Sequence, residues 1–396
     1  MEVADLAVYN GSIYGLDGRL RTRPHDGSSP ECASTLKRYP DGMRSFPEFP
    51  TASLWRASDL PTTDSFVYDL DPDELGPLAD AAERLHAQGR NAEEIEAHEL
   101  PLGPLEPRIE ALRRELMEGR GMALLRGFPV DRLSLGAVEI LFWKIGLELG
   151  TPVSQSVLGE RLGHVVDVTD EDPNARGYRN SSELTPHTDL ADFLSFLCVR
   201  RAKSGGASRF VSALTVHEEI RRDRPDCLEL LYRGFRFHRL GEHPPEAAPI
   251  TPHRVPIFSR CEGLVSCRYI SRAPLDIAAD EDPEIVLSAE EIEAIDLFEA
   301  YAARPDLYVE FTLAPGEAIF ANNFTVLHSR RPFEDGATPE QKRHLLRLWM
   351  SANPPRPIVP ETEVYVGEPG IQAQPGLRPS YAALSKYDRE QGLSSK

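Results

Sequence analysis

The chain has 396 residues, 41 % of them hydrophobic, which suffices for one large domain or two ordinary ones with a sizeable core. Its formal net charge of −19 argues against nucleic acid and anionic membrane surfaces as partners, and a small anionic substrate would need a local basic pocket. No apolar run of about 18 residues and no secretory signal are visible, so we expect no membrane span.

The cysteines bear on the redox state of the protein. There are five of them, an odd number, and none is spaced as CxxC. This pattern favours a reduced, cytoplasmic protein and argues against a structural zinc site.

The first predicted elements follow an irregular N-terminal extension. Residues 1–55 are rich in Gly, Pro, Ser and Arg and show little periodicity, so we expect no regular core structure there. Residues 107–118 place apolar side chains on one helical face before two glycines, which predicts a helix, and residues 122–126 predict a buried strand. Ser134 is placed to cap a longer helix that ends at Leu149.

Beyond His187 the sequence predicts mainly short β-strands, interrupted by one helix. That helix begins with a capping box at Ser288 and Glu291 and runs to about Ala303. Residues 354–396 return to a Pro-rich, polar composition, which we interpret as a C-terminal tail. The predicted short strands are residues 193–199, 209–216, 234–238, 255–258, 264–270, 307–313, 318–321, 326–329 and 345–350.

These elements predict an α+β protein that is mainly β. Many short strands, with helices before and between them, are typical of a β-sandwich or jelly roll. We therefore expect a double-stranded β-helix (jelly-roll) core with packed helices. In such a core, residues from distant strands point into one cavity, so metal ligands far apart in sequence can share one ion.

A candidate metal site follows from two histidines and a carboxylate. His187 and Asp189 lie two residues apart, and Pro186 favours an extended entry, so both side chains can lie on one face of the segment. His328 lies 139 residues beyond Asp189 in a strand-like context. Two histidines and one carboxylate on one face of an iron ion are the ligand set of non-haem Fe(II) oxygenases.

A second histidine that has an acidic residue two positions away is an alternative to His187 as a metal ligand. His217 and Glu219 are also two residues apart, but they lie where the sequence predicts the start of a helix. In a helix, residues i and i+2 point about 200° apart, so this pair chelates an ion poorly. Taken alone, His328 would be read as a hydrogen-bonded core histidine.

An ordered set of motifs resembles the Fe(II)- and 2-oxoglutarate-dependent dioxygenases of the taurine dioxygenase and clavaminate synthase type. The resemblance covers residues 121–351 and rests on four motifs in order. They are His187-Thr-Asp189, Ser204-Gly-Gly-Ala-Ser208, Asn322-Asn-Phe-Thr-Val-Leu-His328 and Arg343-His-Leu-Leu-Arg347. It implies a dioxygenase-like domain over residues 56–353, with iron bound by His187, Asp189 and His328, and with 2-oxoglutarate and O2 as cosubstrates.

The resemblance also implies residues that bind 2-oxoglutarate. Ser208 falls where the family has a threonine that contacts the 2-oxoglutarate carboxylate, and it keeps the hydroxyl group. Arg343 falls where the family has an arginine that pairs with the C5 carboxylate, a role suited to a guanidinium fork. Read without the family, the glycines before Ser208 would be an ordinary tight turn.

The residues expected to contact the primary substrate are less specific. Arg347 matches a second family arginine that faces the substrate, which suggests an anionic group such as a carboxylate on a small molecule. Gln155, Asn180 and Glu183 lie in segments that approach the active site in relatives. The alternative for Arg343 and Arg347 is a pair of solvated arginines on an edge strand.

The resemblance implies oxidation of an unactivated C–H bond coupled to decarboxylation of 2-oxoglutarate to succinate. Asp189 occupies the position that halogenating relatives leave without a carboxylate, which argues against halogenation. We expect hydroxylation, with desaturation or oxidative cyclisation in a natural-product pathway as alternatives. A zinc hydrolase and a non-catalytic jelly-roll binding protein are the alternatives of another class. The oligomeric state is not indicated by the sequence.

Overall fold

Two sheets form the frame of the protein in the computed structural model, which describes residues 8–9, 12–13, 49, 51–169, 179–365, 367, 369–374 and 376. The strands are β1 (Val8–Tyr9), β2 (Ser12–Ile13), β3 (Val67–Asp69), β4 (Met122–Arg126), β5 (Gly150–Pro152), β6 (Leu162–Val165), β7 (Leu184–His187), β8 (Phe193–Arg200), β9 (Ser204–Gly205), β10 (Ser208–Ser212), β11 (Phe258–Cys261), β12 (Leu264–Cys267), β13 (Tyr308–Phe311), β14 (Glu317–Asn322), β15 (Val326–Arg330), β16 (Phe333–Glu334) and β17 (His344–Ala352).

The larger sheet has seven strands in the order β3-β4-β14-β8-β17-β5, with β6 also paired to β17. Its pairs are antiparallel except for β3 with β4. The smaller sheet has the order β13-β10-β15-β7 and is antiparallel. The pairs β1-β2, β11-β12 and β16-β9 form separate two-stranded ribbons.

Helices cover the outer faces of the two sheets. They are α1 (Pro72–Ala87), α2 (Glu106–Glu118), α3 (Leu135–Leu149), α4 (Ala213–Asp223), α5 (Pro225–Arg233), α6 (Ala273–Glu281) and α7 (Ala289–Ala302). Apolar side chains of α1, α2 and α3 form one core with the outer face of the larger sheet. Those of α4, α5 and α7 form a second core with the smaller sheet.

The inner faces of the two sheets pack against each other. A third apolar cluster joins Leu124, Ile319 and Leu345 of the larger sheet to Phe210 and Val326 of the smaller one. Because side chains alternate along a strand, Leu346, Leu348 and Met350 of the same strand face the helices instead. The chain is therefore a mixed α/β protein of layered sheets and helices, and the space between the sheets is where inward polar side chains meet.

Several predicted elements are confirmed closely. The helix predicted over residues 107–118 is α2, and the strand predicted over residues 122–126 is β4. Ser134 caps α3, because its side chain accepts a hydrogen bond from the Ala137 N–H, and the helix ends at Leu149 as predicted. The capping box at Ser288 also forms at the start of α7.

Other predicted strands are wrong. The strand predicted over residues 209–216 ends at Ser212, because the Ser212 side chain accepts a hydrogen bond from the Thr215 N–H and starts α4. Residues 234–238 form only isolated bridges, one of them from Phe235 to Val255. The strand predicted over residues 255–258 begins only at Phe258, in β11. Apolar runs of this length pack in the core without extended pairing, so composition alone misassigns them.

The cysteines correct one further expectation. Cys198, Cys227 and Cys267 are buried free thiols, whereas Cys261 is disulfide-bonded. The expectation of a fully reduced protein is therefore wrong at Cys261, because a disulfide depends on spatial proximity and not on CxxC spacing. Among the described residues, no helix is long and apolar enough to cross a membrane.

The N-terminal and C-terminal parts of the chain differ in how much of them packs on the core. The extension predicted over residues 1–55 lies mostly outside the described residues, which there include only β1, β2 and a few residues from Phe49 onward. The described part of the predicted C-terminal tail packs on the core, with Val359, Val364 and Ile371 buried. It forms one side of a cavity whose other lining residues include Leu190, Ala191 and Asp192.

Phe320 tests the contact between the larger sheet and its helices. Its side chain is fully buried, and its ring centroid lies 6.2 Å from that of Phe142 in α3. We expect Phe320→Ala to lower the free energy of unfolding by about 3–5 kcal/mol, because it leaves a cavity in this core. The measurement is urea denaturation followed by circular dichroism. The control Val286→Ala removes a side chain that is 75 % exposed and should change stability by less than about 0.5 kcal/mol.

Candidate active site

Strand pairing in the smaller sheet brings the two predicted histidines together. β7 ends at His187, and its antiparallel partner β15 places His328 directly opposite. Residues directly opposite in an antiparallel pair project to the same face. His328 follows Val326 by two residues, and Val326 belongs to the cluster between the sheets, so both imidazoles face the interior. Their ring centroids are 4.1 Å apart.

The side chain of Asp189 completes a compact donor cluster. Its two carboxylate oxygens lie 3.8 Å from Nε2 of His187 and 3.6 Å from Nε2 of His328. One donor atom from each residue lies within 4.8 Å of the other two. Among the described residues, these three form the group of His, Cys, Asp or Glu side chains that are close enough to share a metal ion. The Nδ1 atom of His187 donates to the Thr185 carbonyl oxygen at 2.7 Å, which leaves Nε2 directed at the cluster.

The donor set fits a divalent metal ion. Donor atoms within 4.8 Å of one another would hold one divalent cation, and two imidazoles with one carboxylate are a donor set that such ions accept. Burial lowers the pKa of His328 to about 3, so its imidazole is neutral at physiological pH, which is the form that binds a metal. Burial opposes ionisation of Asp189, but the neighbouring imidazoles in their protonated forms and the guanidinium of Arg347 outweigh it, so the pKa of Asp189 lies below its ordinary value.

Three residues that the sequence analysis did not single out hold Asp189 in place. Nε1 of Trp349 donates to the Asp189 carboxylate at 2.9 Å. The Asp189 backbone N–H donates to Oδ1 of Asn323 at 3.2 Å, and its carbonyl oxygen accepts from Nη1 of Arg268. Trp349 lies two residues beyond Arg347 on the same face of β17, and Asn323 belongs to the motif before His328. Both were therefore within reach of sequence reasoning, whereas nothing in the sequence pointed to Arg268.

Arg343 and Ser208 line one small cavity between strand ends. The Arg343 side chain is buried over the Phe333 ring at 5.1 Å, and its Nη1 has no hydrogen-bond partner in the described part of the chain. Burial lowers the pKa of Arg343 to about 10. A buried guanidinium with an unpaired donor next to a hydroxyl group fits the carboxylate of 2-oxoglutarate.

The two glycines before Ser208 have a specific role in this cavity. Gly205 has a φ of +73°, and a Cβ atom there would overlap the carbonyl oxygen of Pro332. Gly206 has a φ of +72°, and a Cβ atom there would lie 3.4 Å from Nε of Arg343. Only glycine adopts these conformations without strain, so the pair does more than form a turn. It lets the backbone approach the guanidinium closely.

Arg347 lies beside the donor cluster and is held by Gln155. The Arg347 side chain is only 3 % exposed, stacks over Trp349 at 4.8 Å, and donates from Nε to Oε1 of Gln155 at 2.5 Å. Nε2 of Gln155 donates to the carbonyl oxygens of Arg161 and Arg347. The amide of Gln155 therefore orients the arginine, and its predicted contact with substrate stays a prediction.

Asn180 and Glu183 lie farther along the segment that leads into β7. Oδ1 of Asn180 accepts from the Ser182 N–H, and its carbonyl oxygen accepts from Nη2 of Arg330 at 2.8 Å. Glu183 is exposed and lies 3.7 Å from Nη1 of Arg209 at the protein surface. Neither side chain joins the donor cluster, and residues 170–178 next to them are outside the described residues.

The alternative histidine pair does not form a metal site. His217 and Glu219 both lie within α4, as the helical interpretation of this segment predicted. Nε2 of His217 is hydrogen-bonded to the Tyr232 hydroxyl at 3.0 Å, and Glu219 is ion-paired with Arg222 and Arg304. Both side chains have structural partners.

Comparison with known proteins gives the family. Residues 85–349 match the family described as taurine catabolism dioxygenase TauD, TfdA family. FR-33289 synthase from Streptomyces rubellomurinus is 31 % identical over 309 residues, which cover 76 % of this chain and 89 % of the relative. A taurine hydroxylase-like protein, SAT17, from Stachybotrys chartarum is 23 % identical over 74 % of this chain and 77 % of its own length.

Solved structures agree with this fold. An asparagine oxygenase in complex with Fe(II), 3-hydroxyasparagine and succinate aligns with a TM-score of 0.55 at 19 % identity over 72 % of this chain and 93 % of that protein. The non-haem iron oxygenase OrfP in complex with Fe and α-ketoglutaric acid aligns with a TM-score of 0.53 at 17 % identity over the same shares. The family match spans well over half of this chain and includes the donor cluster. The chain therefore belongs to the TauD/TfdA family and is a non-haem iron dioxygenase that uses Fe(II), 2-oxoglutarate and O2.

Proposed function

We propose that this enzyme hydroxylates an unactivated C–H bond of a small, carboxylate-bearing or otherwise anionic molecule, with 2-oxoglutarate decarboxylated to succinate. The observation that carries the proposal is the convergence of His187, Asp189 and His328 beside the buried guanidinium of Arg347. In this proposal the three residues bind the iron, and Arg347 binds the anionic group of the substrate. Desaturation and oxidative cyclisation need the same residues and remain the alternative outcomes.

The roles of the protein side chains follow from their environment. When bound, iron and 2-oxoglutarate supply the oxidising chemistry. Arg343 and Ser208 would hold the 2-oxoglutarate carboxylate, and Gln155 would keep Arg347 directed at the substrate. The Trp349 N–H would fix the rotamer of Asp189, and the buried position between the sheets would exclude water from the reacting groups.

Relatives support a small substrate of this kind. The asparagine oxygenase structure contains 3-hydroxyasparagine, and OrfP has been crystallised with hydroxylated arginine. FR-33289 synthase is named as a synthase, which supports a biosynthetic role. An amino acid or a carboxylate-bearing biosynthetic intermediate would suit Arg347. Asn180 and Glu183 would contact the substrate from the segment that precedes His187.

The architecture and location are part of the same proposal. The two facing sheets would correspond to the double-stranded β-helix, and residues 56–353 would form the catalytic domain. Residues 1–55 would be an N-terminal extension, and residues 354–396 a C-terminal segment. A cytoplasmic location would supply reduced iron and 2-oxoglutarate.

The iron and 2-oxoglutarate sites are tested by anaerobic titration of the metal-free protein with Fe(II) and 2-oxoglutarate. We expect a weak visible charge-transfer band in the wild type and none in His187→Ala, because one of three metal ligands is lost. In Arg343→Ala we expect the 2-oxoglutarate concentration at half-maximal absorbance to rise at least about hundredfold, which corresponds to roughly 3 kcal/mol for a buried charge pair.

A matched control separates these effects from general changes in charge or folding. His98 is a surface histidine whose side chain is 78 % exposed, so His98→Ala should give the wild-type band. A wild-type protein that binds Fe(II) but shows no band with 2-oxoglutarate would contradict the proposed assignment of the site.

The substrate role of Arg347 is tested by kinetics of succinate release with a panel of small carboxylates and amino acids. For any substrate found, we expect Arg347→Gln to raise KM at least about tenfold, because a charged hydrogen bond is worth about 1.5–3 kcal/mol. The charge-transfer titration with 2-oxoglutarate should be unchanged within about twofold. An unchanged substrate KM would exclude Arg347 from anion recognition.

A further inference from the structure

A second cavity lies beside the donor cluster and beneath the C-terminal segment. It measures about 880 Å³, including its opening to solvent, and Leu190 and Ala191 on one wall directly follow Asp189. The opposite wall consists of residues between Pro355 and Gly370. The part of it that holds water-sized spheres measures about 230 Å³, below the roughly 300–1,000 Å³ of clefts for drug-sized ligands, so the cavity suits a small anionic group.

Two buried arginines face this cavity. Arg268 is 8 % exposed and Arg356 is 9 % exposed, and both line the cavity. None of the ion pairs formed by the described residues includes either guanidinium. Burial lowers the pKa of Arg356 to about 10, and it lowers the pKa of Arg268 as well.

The donor groups of these arginines are only partly used. Arg268 stacks over Phe324 at 4.6 Å, donates from Nη1 to the Asp189 carbonyl oxygen, and has a buried Nε without a partner among the described residues. Arg356 donates from Nε to the Ser266 hydroxyl at 3.0 Å and from Nη2 to the Val265 carbonyl oxygen at 2.8 Å. Its Nη1 makes no hydrogen bond within the described part of the chain.

Two carboxylates also line the cavity; the charge of Asp192 acts on both guanidinium groups, but neither carboxylate forms an ion pair with them at contact distance. Asp192 accepts the Ala352 N–H at 2.8 Å, and burial raises the pKa of its carboxyl group. Glu363 is exposed at the rim, where solvent screens its charge. Burying a guanidinium without a contacting anion carries a free-energy cost. A ligand that carries an oxyanion would remove this cost.

We propose that Arg268 and Arg356 form an oxyanion-binding site that takes an anionic group of the primary substrate, with the C-terminal segment as its outer wall. This inference rests on the proposed function and adds a second anion contact to that of Arg347. Arg268 links the two regions directly, because the guanidinium that faces the cavity also holds the backbone of Asp189. The ligand class is a carboxylate or a tetrahedral oxyanion such as a sulfonate or phosphate.

The site is tested by isothermal titration calorimetry with sodium sulfate and, separately, sodium acetate at low ionic strength. Each anion is titrated into the metal-free protein and into the anaerobic protein loaded with Fe(II) and 2-oxoglutarate. In both forms we expect a saturable site that Arg343→Ala leaves unchanged, and the tighter of the two probes identifies a tetrahedral or a planar anion. Arg356→Gln should weaken binding at least tenfold.

A second variant keeps both arginines in place. Ile358 is a half-buried residue of the cavity wall, so Ile358→Glu puts a carboxylate next to the guanidinium groups and should compete with the probe. We expect a loss of at least tenfold in affinity, whereas the isosteric neutral variant Ile358→Gln should stay within threefold of wild type. Arg132→Gln removes a surface arginine whose side chain is 57 % exposed, and it controls for net charge.

Three results would overturn this inference. The first is that neither anion binds the wild type saturably. The second is that Arg356→Gln and Ile358→Glu both leave the anion Kd within twofold of wild type. The third is that Arg347→Gln abolishes anion binding while Arg356→Gln does not. The proposed function fails separately, through loss of the charge-transfer band. Anion binding to the metal-free protein is measured independently of that band.

Discussion

The antiparallel pairing of β7 with β15 is the constraint on which the candidate site depends. It places His187 opposite His328, two residues that are far apart in sequence, and directs both imidazoles between the sheets. Asp189 then needs only the two-residue continuation of β7 to reach the same point. A one-residue shift in this register would turn His328 toward the helices, where Leu327 packs now, and would dismantle the cluster.

Strand β17 connects the hydrophobic core to the polar side of the site. Leu346, Leu348 and Met350 pack against the helices, while Arg347 and Trp349 project between the sheets. The period-two alternation of a strand thus lets one segment stabilise the larger sheet and orient Asp189 at the same time. The buried apolar face makes the register of β17 costly to change, so the positions of the polar side chains are set by core packing.

The local parts of this architecture were predictable from residue spacing, and the convergence of His328 with His187 and Asp189 was predicted through the family resemblance, whereas the second cavity was not predicted. The caps at Ser134 and Ser288 and the His187–Asp189 spacing depend on neighbouring residues, so sequence patterns reveal them. The cap at Ser212 obeys the same rule, but a run of β-branched and apolar residues masked it. Arg268 and Arg356 meet at one cavity only through tertiary packing, and no spacing between them could indicate this.

The distribution of charge explains how an acidic chain can recognise an anion. The net charge of −19 belongs to the whole chain, whereas the positive groups at the site are buried, and buried charges interact with far less screening than exposed ones. Arg347 lies in β17 of the larger sheet, Arg343 directly precedes that strand, and Arg356 lies on the C-terminal segment. Anion recognition as proposed would therefore depend on local desolvated cations. The C-terminal segment supplies one of them, so in this proposal it would bind the substrate as well as line the cavity.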